Sequence, residues 1–115
     1  MTDKSVVAQP LSTQVFQILL SLVDQDLHGY AIIQDVAERT DDEVRLTACT
    51  LYAAVKRLLD QGLIDEVRSR SRDDDPRRRY YRLTPSGRKA ARDEALRLER
   101  LAAMARAKRL LPSPR

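Results

Sequence analysis

Residues 75–87 read Asp75-Pro76-Arg77-Arg78-Arg79-Tyr80-Tyr81-Arg82-Leu83-Thr84-Pro85-Ser86-Gly87, joining a turn, a cationic strand and a helix start without a gap. The run Asp73-Asp74-Asp75-Pro76 breaks regular structure, while Tyr81 and Leu83 alternate with Tyr80 and Arg82 as a half-buried strand requires. Thr84 suits an N-cap, and Pro85 suits the first helical position, where the missing N–H would have no partner anyway. From Arg77 to Arg92 there are seven Arg or Lys and no Asp or Glu, in a chain whose formal total is only +4. A basic hairpin feeding a capped helix presents cations to a polyanion, although a charge run taken alone is as readily a solvated surface.

Working backwards, residues 70–75 read as a turn and Leu63 to Ser69 as the antiparallel partner strand. Before it, Thr47 is an N-cap for a helix running to about Gln61 and closed by Gly62. At about 100° per residue, Leu51, Val55, Leu58 and Leu59 share one arc and face a core, while Cys49, Ala53, Lys56 and Arg57 lie opposite. An outer face that is small and cationic can approach a duplex closely, with Cys49 or Ala53 near base edges and the long cations on phosphate or guanine. The competing reading is an ordinary amphipathic helix with a polar outer side.

Further upstream, Val44-Arg45-Leu46 reads as a brief extended segment. His28-Gly29-Tyr30 is a hinge into a second helix, which carries Ile32, Ile33, Val36 and Ala37 on one face and ends at Thr40-Asp41-Asp42. A first helix starts near Ser12 or Thr13. It carries Val15, Phe16, Leu19, Leu20, Leu22 and Val23 at helical spacing, a face broad enough for a core, a dimer contact or both.

Downstream, a helix from Pro85 to about Leu110 carries Ala91, Ala95, Leu98, Leu101, Ala102 and Ala105 on one face. That stripe is too long for a three-helix core, so the excess is expected to be buried against a second copy. Helix, helix, helix, hairpin is the order of a winged helix-turn-helix. The expected fold is therefore mostly α with a small β-hairpin (α+β). It divides into an N-terminal arm (1–10), a winged helix-turn-helix DNA-binding domain (11–84), a dimerisation helix (85–111) and a tail (112–115).

With 115 residues, 43% of them hydrophobic, and a single cysteine, the chain fits one domain whose core needs no disulfide. Its N-terminal apolar stretch is interrupted by polar residues and no signal-peptide pattern precedes it, so a soluble cytoplasmic protein without a membrane role is expected. Charge is uneven: residues 1–44 hold two basic and eight acidic side chains, residues 45–115 nineteen and nine. The second part is the polyanion-facing one, and nucleic acid is the simplest polyanion.

Three motifs together resemble the PadR family of bacterial transcriptional regulators, over about Leu11 to Leu111. They are His28-Gly29-Tyr30, Thr50-Leu51-Tyr52 with Leu58 and Gly62-Leu63-Ile64 behind it, and Tyr80 to Gly87 after the hairpin. The resemblance is to the short subgroup, in which the single helix after the wing packs with the partner's first helix. It implies contacts to phosphate or bases from Tyr30, Tyr52 and Lys56, and wing contacts from Arg78 with its neighbours Arg77, Arg79 and Tyr80; Thr50, in the same motif as Tyr52, is a further candidate DNA contact. It also implies a homodimer through Val15, Phe16 and Leu19 of the first helix with Ala91, Ala95, Leu98, Leu101, Ala102 and Ala105 of the last. As the resemblance implies from some relatives, Phe16 and the apolar residues around it in the first helix are candidates to line a pocket for a small hydrophobic effector at the dimer centre, with plain core as the competing reading. Cys49 departs from the pattern, since family members often have Gly there, and the bases read by this helix are accordingly open.

Other chemistry is poorly supported. His28 is the only histidine, and with Cys49 and scattered carboxylates it does not match zinc spacing, so no metal or cofactor is expected. Hydrogen bonding at the turn before the second helix suits His28 better. Asp41-Asp42-Glu43 and Asp73-Asp74-Asp75 fall in loops with no converging nucleophile, and Cys49 has no histidine close in sequence to act as its base, so the chain is not expected to be an enzyme. A thiol in the first turn of a cationic helix is a candidate redox switch, weighed against a small side chain tolerated at a close DNA approach. The expected function is a homodimeric repressor on a pseudo-palindromic operator of double-stranded DNA, released by a ligand or signal. The alternative is a winged-helix module that binds an acidic protein partner.

Overall fold

The computed structural model describes residues 10–68 and 78–113. The arm up to Gln9, the turn at 70–75, Arg77 and the last two tail residues lie outside the described residues. Among the described residues, four helices and three short strands follow in the order α1 (Thr13–Ser21), β1 (Leu27–His28), α2 (Gly29–Arg39), α3 (Ala48–Asp60), β2 (Ile64–Val67), β3 (Tyr80–Leu83) and α4 (Pro85–Ala107). Among the described residues no helix is long and apolar enough to cross a membrane.

Every helix starts on a side-chain cap. Ser12 Oγ accepts from Val15 N–H, His28 Nδ1 from Ala31 N–H, Thr47 Oγ1 from Thr50 N–H and Thr84 Oγ1 from Gly87 N–H. Each acceptor satisfies a first-turn N–H that has no intrahelical partner. After α2 the chain turns through Asp41 and Asp42, both left-handed (φ 51° and 66°), a conformation that a short polar side chain tolerates. After α3 it reverses at Gly62 (φ 74°), where Leu63 N–H donates to Leu58 O and Gly62 N–H to Leu59 O. Those two bonds satisfy the last carbonyls of the helix.

The reversal after α3 is tied to the start of α4. Thr84 N–H donates to Leu63 O and the Thr84 hydroxyl to Gly62 O at 2.7 Å. A Cβ at Gly87 would overlap the Leu63 carbonyl, so only glycine lets the first turn of α4 sit there. Gly62-Leu63 and Thr84-Pro85-Ser86-Gly87 are thus two halves of one junction between the hairpin and its neighbouring helices.

Two expectations need correction. The sheet has three strands in the order β1-β3-β2, not two, because Leu27 and His28 pair with Tyr81 and Tyr80 on the far side of β3. A two-residue strand has no alternation to read and exists only through its tertiary pairing. Residues 44–46, read as a brief extended segment, take no part in the sheet; Val44 N–H is taken by the Thr40 hydroxyl, and Leu46 is drawn into the core. The hairpin strands are also shorter than read, and α4 ends three residues early, with Arg109 left-handed (φ 64°) beyond its cap.

The core gathers Ile18, Leu19 and Leu22 of the first helical segment, Ile32 and Val36 of α2, and Leu51, Ala54, Val55 and Leu58 of α3. Ile64, Tyr81 and Leu83 of the sheet and Ala91 of α4 close it. Polar clamps hold the periphery. Arg39 at the end of α2 reaches Asp35, Gln17 and the buried Ser21, bridging to α1. Burial pushes the Asp35 carboxyl up, but hydrogen bonds from Arg39 and Ser21 outweigh it and hold the group below its usual value. Arg82 pairs with Asp26 at 2.8 Å, fixing the loop before β1 against β3.

Candidate nucleic-acid interface

The expected recognition helix presents the face read from its periodicity. Leu51, Val55 and Leu58 are buried, with Ala54 beside them, while Cys49, Tyr52, Ala53, Lys56 and Arg57 are exposed. Thr50 is half-buried, and its side chain is engaged in the cap, accepting from the Thr47 hydroxyl at 3.0 Å. Arg57 stands apart: it lines a hollow of about 250 Å³ with Pro10, Ser12 and Val15, on the flank towards α1.

A second hollow, of about 550 Å³, lies between the start of α2, α3 and the strand that follows the wing. It is lined by His28, Gly29, Tyr30, Tyr52, Arg78, Arg79 and Tyr81. Four residues expected at the interface, Tyr30, Tyr52, Arg78 and Arg79, are therefore brought together although up to 49 positions separate them in sequence. Tyr30 and Tyr52 are 62% and 49% exposed, unusual for large aromatic rings unless a partner covers them. Tyr80 packs against His28 edge-to-face with centroids 5.3 Å apart, which holds the base of the wing to the cap of α2. Arg79 lies 3.8 Å from Glu66 on the neighbouring strand.

Gly29 was read as a hinge, yet its role is steric. A Cβ there would overlap the Tyr52 hydroxyl and ring, so the glycine lets Tyr52 lie over the start of α2. No one-dimensional pattern reveals this contact between helices. Tyr81, read as core, is buried and also borders the hollow. Arg45, well exposed and 3.5 Å from Asp42, adds a cation just before α3 that was not singled out.

The expected dimer residues divide. Leu19 is fully buried and Ala91 nearly so within the subunit, so both serve the core and have no surface left for a second copy. Val15 and Phe16 are half-buried, Ala102 and Ala105 likewise, and Ala95, Leu98 and Leu101 are exposed. Leu96 and Met104 are exposed as well, on parts of α4 that the single stripe did not include.

Three helices packed on a small antiparallel sheet, with an exposed third helix beside a cationic hairpin, define a winged helix-turn-helix protein. The sequence matches the PadR-like family of transcriptional regulators over residues 18–93, and the chain belongs to that family. An uncharacterised protein of Lysinibacillus sphaericus is 34% identical over 70 residues, 61% of this chain and 63% of that protein. The chain thus spans under two thirds of that relative's length. A PadR family transcription regulator from Clostridium difficile superimposes with a TM-score of 0.73 at 27% identity, covering 84% of this chain and 97% of that one. Bacillus subtilis PadR, solved in complex with operator DNA, gives a TM-score of 0.62 at 25% identity over 73% of this chain and 47% of that one.

Proposed function

We propose that the protein is a sequence-specific DNA-binding regulator, acting as a homodimeric repressor. The observation that carries the reading is the convergence of Tyr30, Tyr52, Arg78 and Arg79 on one hollow beside the exposed face of α3. Phenols and guanidiniums supply donors to phosphate and fix the register, while Cys49, Ala53 and Lys56 on the outer face of α3 reach base edges. The DNA complex of the B. subtilis relative supports this assignment by analogy. In the dimer, two copies of α3 enter successive major grooves about 34 Å apart, on a pseudo-palindromic operator. The bare stretch of α4 around Leu98 and Leu101 supplies the contact between copies. Release follows from a signal that alters the spacing of the two α3 helices, with a small hydrophobic effector near Phe16 as the candidate.

The test is a gel-shift titration against the protein's own upstream region and a length-matched random duplex at physiological salt. Preferred binding to the upstream duplex with two subunits per site is the expected result, with affinity falling steeply as salt rises. Equal weak binding to both duplexes would reduce the interaction to charge alone.

A further inference from the structure

The hollow beside Tyr52 contains a polar group that no described residue engages. Tyr81 is only 2% exposed and its ring is part of the core, yet its side chain borders the hollow. Among the described residues its hydroxyl has no hydrogen-bond partner. A buried phenol normally finds one. Burial, followed by the neighbouring Tyr52 and Glu66, raises the Tyr81 pKa, so the group is a protonated donor at neutral pH.

What surrounds this donor is also donating. Arg78 and Arg79 stand at the rim with the phenols of Tyr30 and Tyr52. The first turn of α2, an 11-residue helix, borders the hollow at Gly29 and Tyr30, which brings the positive end of the helix dipole to its edge. Among the described residues, a carboxylate is placed nearby on Glu66, directly across the strand pair from Tyr81 and 3.8 Å from Arg79, where it offsets part of the arginine charge. Guanidinium, phenol and helix N-terminus together match a tetrahedral oxyanion.

We propose that this hollow is a phosphate-binding site in which the buried Tyr81 hydroxyl donates to a phosphate oxygen, with Arg78, Arg79 and the start of α2 supplying the charge. Tyr81 then serves the core through its ring and the ligand through its oxygen. Two sources offer the same chemistry, a phosphodiester of the duplex backbone and a free phosphate. The first rests on the reading of this face as a DNA interface; the second does not.

The experiment compares the full chain with Tyr81→Phe, which keeps the ring, and Glu66→Gln, which removes the opposing charge. Inorganic phosphate is titrated by amide NMR against sodium chloride of matched ionic strength. The upstream duplex is titrated intact and with single methylphosphonate substitutions. A free-phosphate site gives saturable shifts at Gly29 and Tyr30 that weaken about tenfold in Tyr81→Phe, as for loss of a hydrogen bond to a charged group, and strengthen in Glu66→Gln. A backbone site gives no such shifts; instead one methylphosphonate per half-site weakens the wild type about tenfold or more and weakens Tyr81→Phe distinctly less, by the share that Arg78 and Arg79 still contribute. In both cases Tyr81→Phe melts no lower than the wild type, because no described residue bonds the hydroxyl in the unliganded fold. Wild-type affinity of Tyr81→Phe for both phosphate and duplex overturns the site. If that happens while upstream DNA is still preferred, the regulator reading survives. Tyr81-dependent phosphate shifts in a protein that does not discriminate its upstream DNA would keep the site and overturn that reading.

Discussion

The two halves of α4 carry one repeat and meet two fates. Gly87, Ala91, Glu94, Leu98, Leu101 and Ala105 recur at spacings of four and three, so they lie along a single face. In the first half that face is buried against the rest of the subunit, with Ala91 at 6% exposure and Glu94 at 3%. In the second half the same face is bare, with Leu98 at 40% and Leu101 at 47%. Periodicity tells which side of a helix seeks cover and is silent on what supplies it. Among the described residues the subunit's own core runs out after Glu94, and the apolar side chains of the next turn continue without a described residue covering them.

One substitution in each half tests whether the two fates are distinct. Ala91→Asp places an unpaired carboxylate in the core and should cost the subunit about 3 kcal/mol or more, read as a lower urea midpoint at any protein concentration. Leu98→Asp should leave the subunit's own fold intact and abolish the dimer, read by sedimentation and by retained helicity in circular dichroism. Its DNA affinity should then fall at least about a hundredfold, since two linked half-sites bind far more tightly than one. Equal loss of helicity in both variants would mean that the bare half is needed to fold the subunit, and the contrast would collapse.

A third substitution separates contact from assembly. Tyr52→Ala lies far from α4 along the chain, on the exposed face of α3, and should weaken binding to the upstream duplex about tenfold while sedimenting as the wild-type dimer. Lys56→Ala should act in the same direction and also reduce the salt dependence by about one phosphate's worth. A Tyr52→Ala protein that dissociates would place the tyrosine in the assembly, and the division between α3 and α4 would need redrawing.

Much of this arrangement was legible in the sequence, for identifiable reasons. Ser12, Thr47 and Thr84 announced their helices because caps are local chemistry. The buried and exposed sides of α3 followed from its period, since both are set within one helix. What was not legible depends on contacts between distant segments. Leu27-His28 becomes a strand only because β3 lies beside it. Gly29 and Gly87 look like turn residues until Tyr52 and the Leu63 carbonyl are seen against them. Leu19 and Leu98 have the same residue type and similar spacing, and only the packed structure assigns one to the core and the other to the surface. Glu94, a carboxylate on an apolar stripe, gave no signal that it would be buried.

Glu94 marks the boundary between the covered and bare halves of α4, and its titration offers the finest test of that boundary. Its carboxylate receives two hydrogen bonds from Arg97, at 3.0 and 2.5 Å, and one from Leu11 N–H at 3.2 Å. The Arg97 guanidinium holds the carboxyl below its usual value against the opposing pull of burial, and the Leu11 amide adds to it. A folded-state pKa below the unfolded one stabilises the fold above the ordinary glutamate range, and that contribution disappears as pH falls through the depressed value. Glu94→Gln keeps the shape and an acceptor for Leu11 but loses the charge. The variant should therefore unfold slightly more easily than the wild type at neutral pH, with the gap closing on acidification as Glu94 of the wild type protonates. Other carboxylates such as Asp35 titrate equally in both proteins and cancel in the difference. A gap that stays constant down to strongly acidic pH would mean that the carboxylate charge contributes nothing there, and that the chain entering α1 is held to α4 by shape alone.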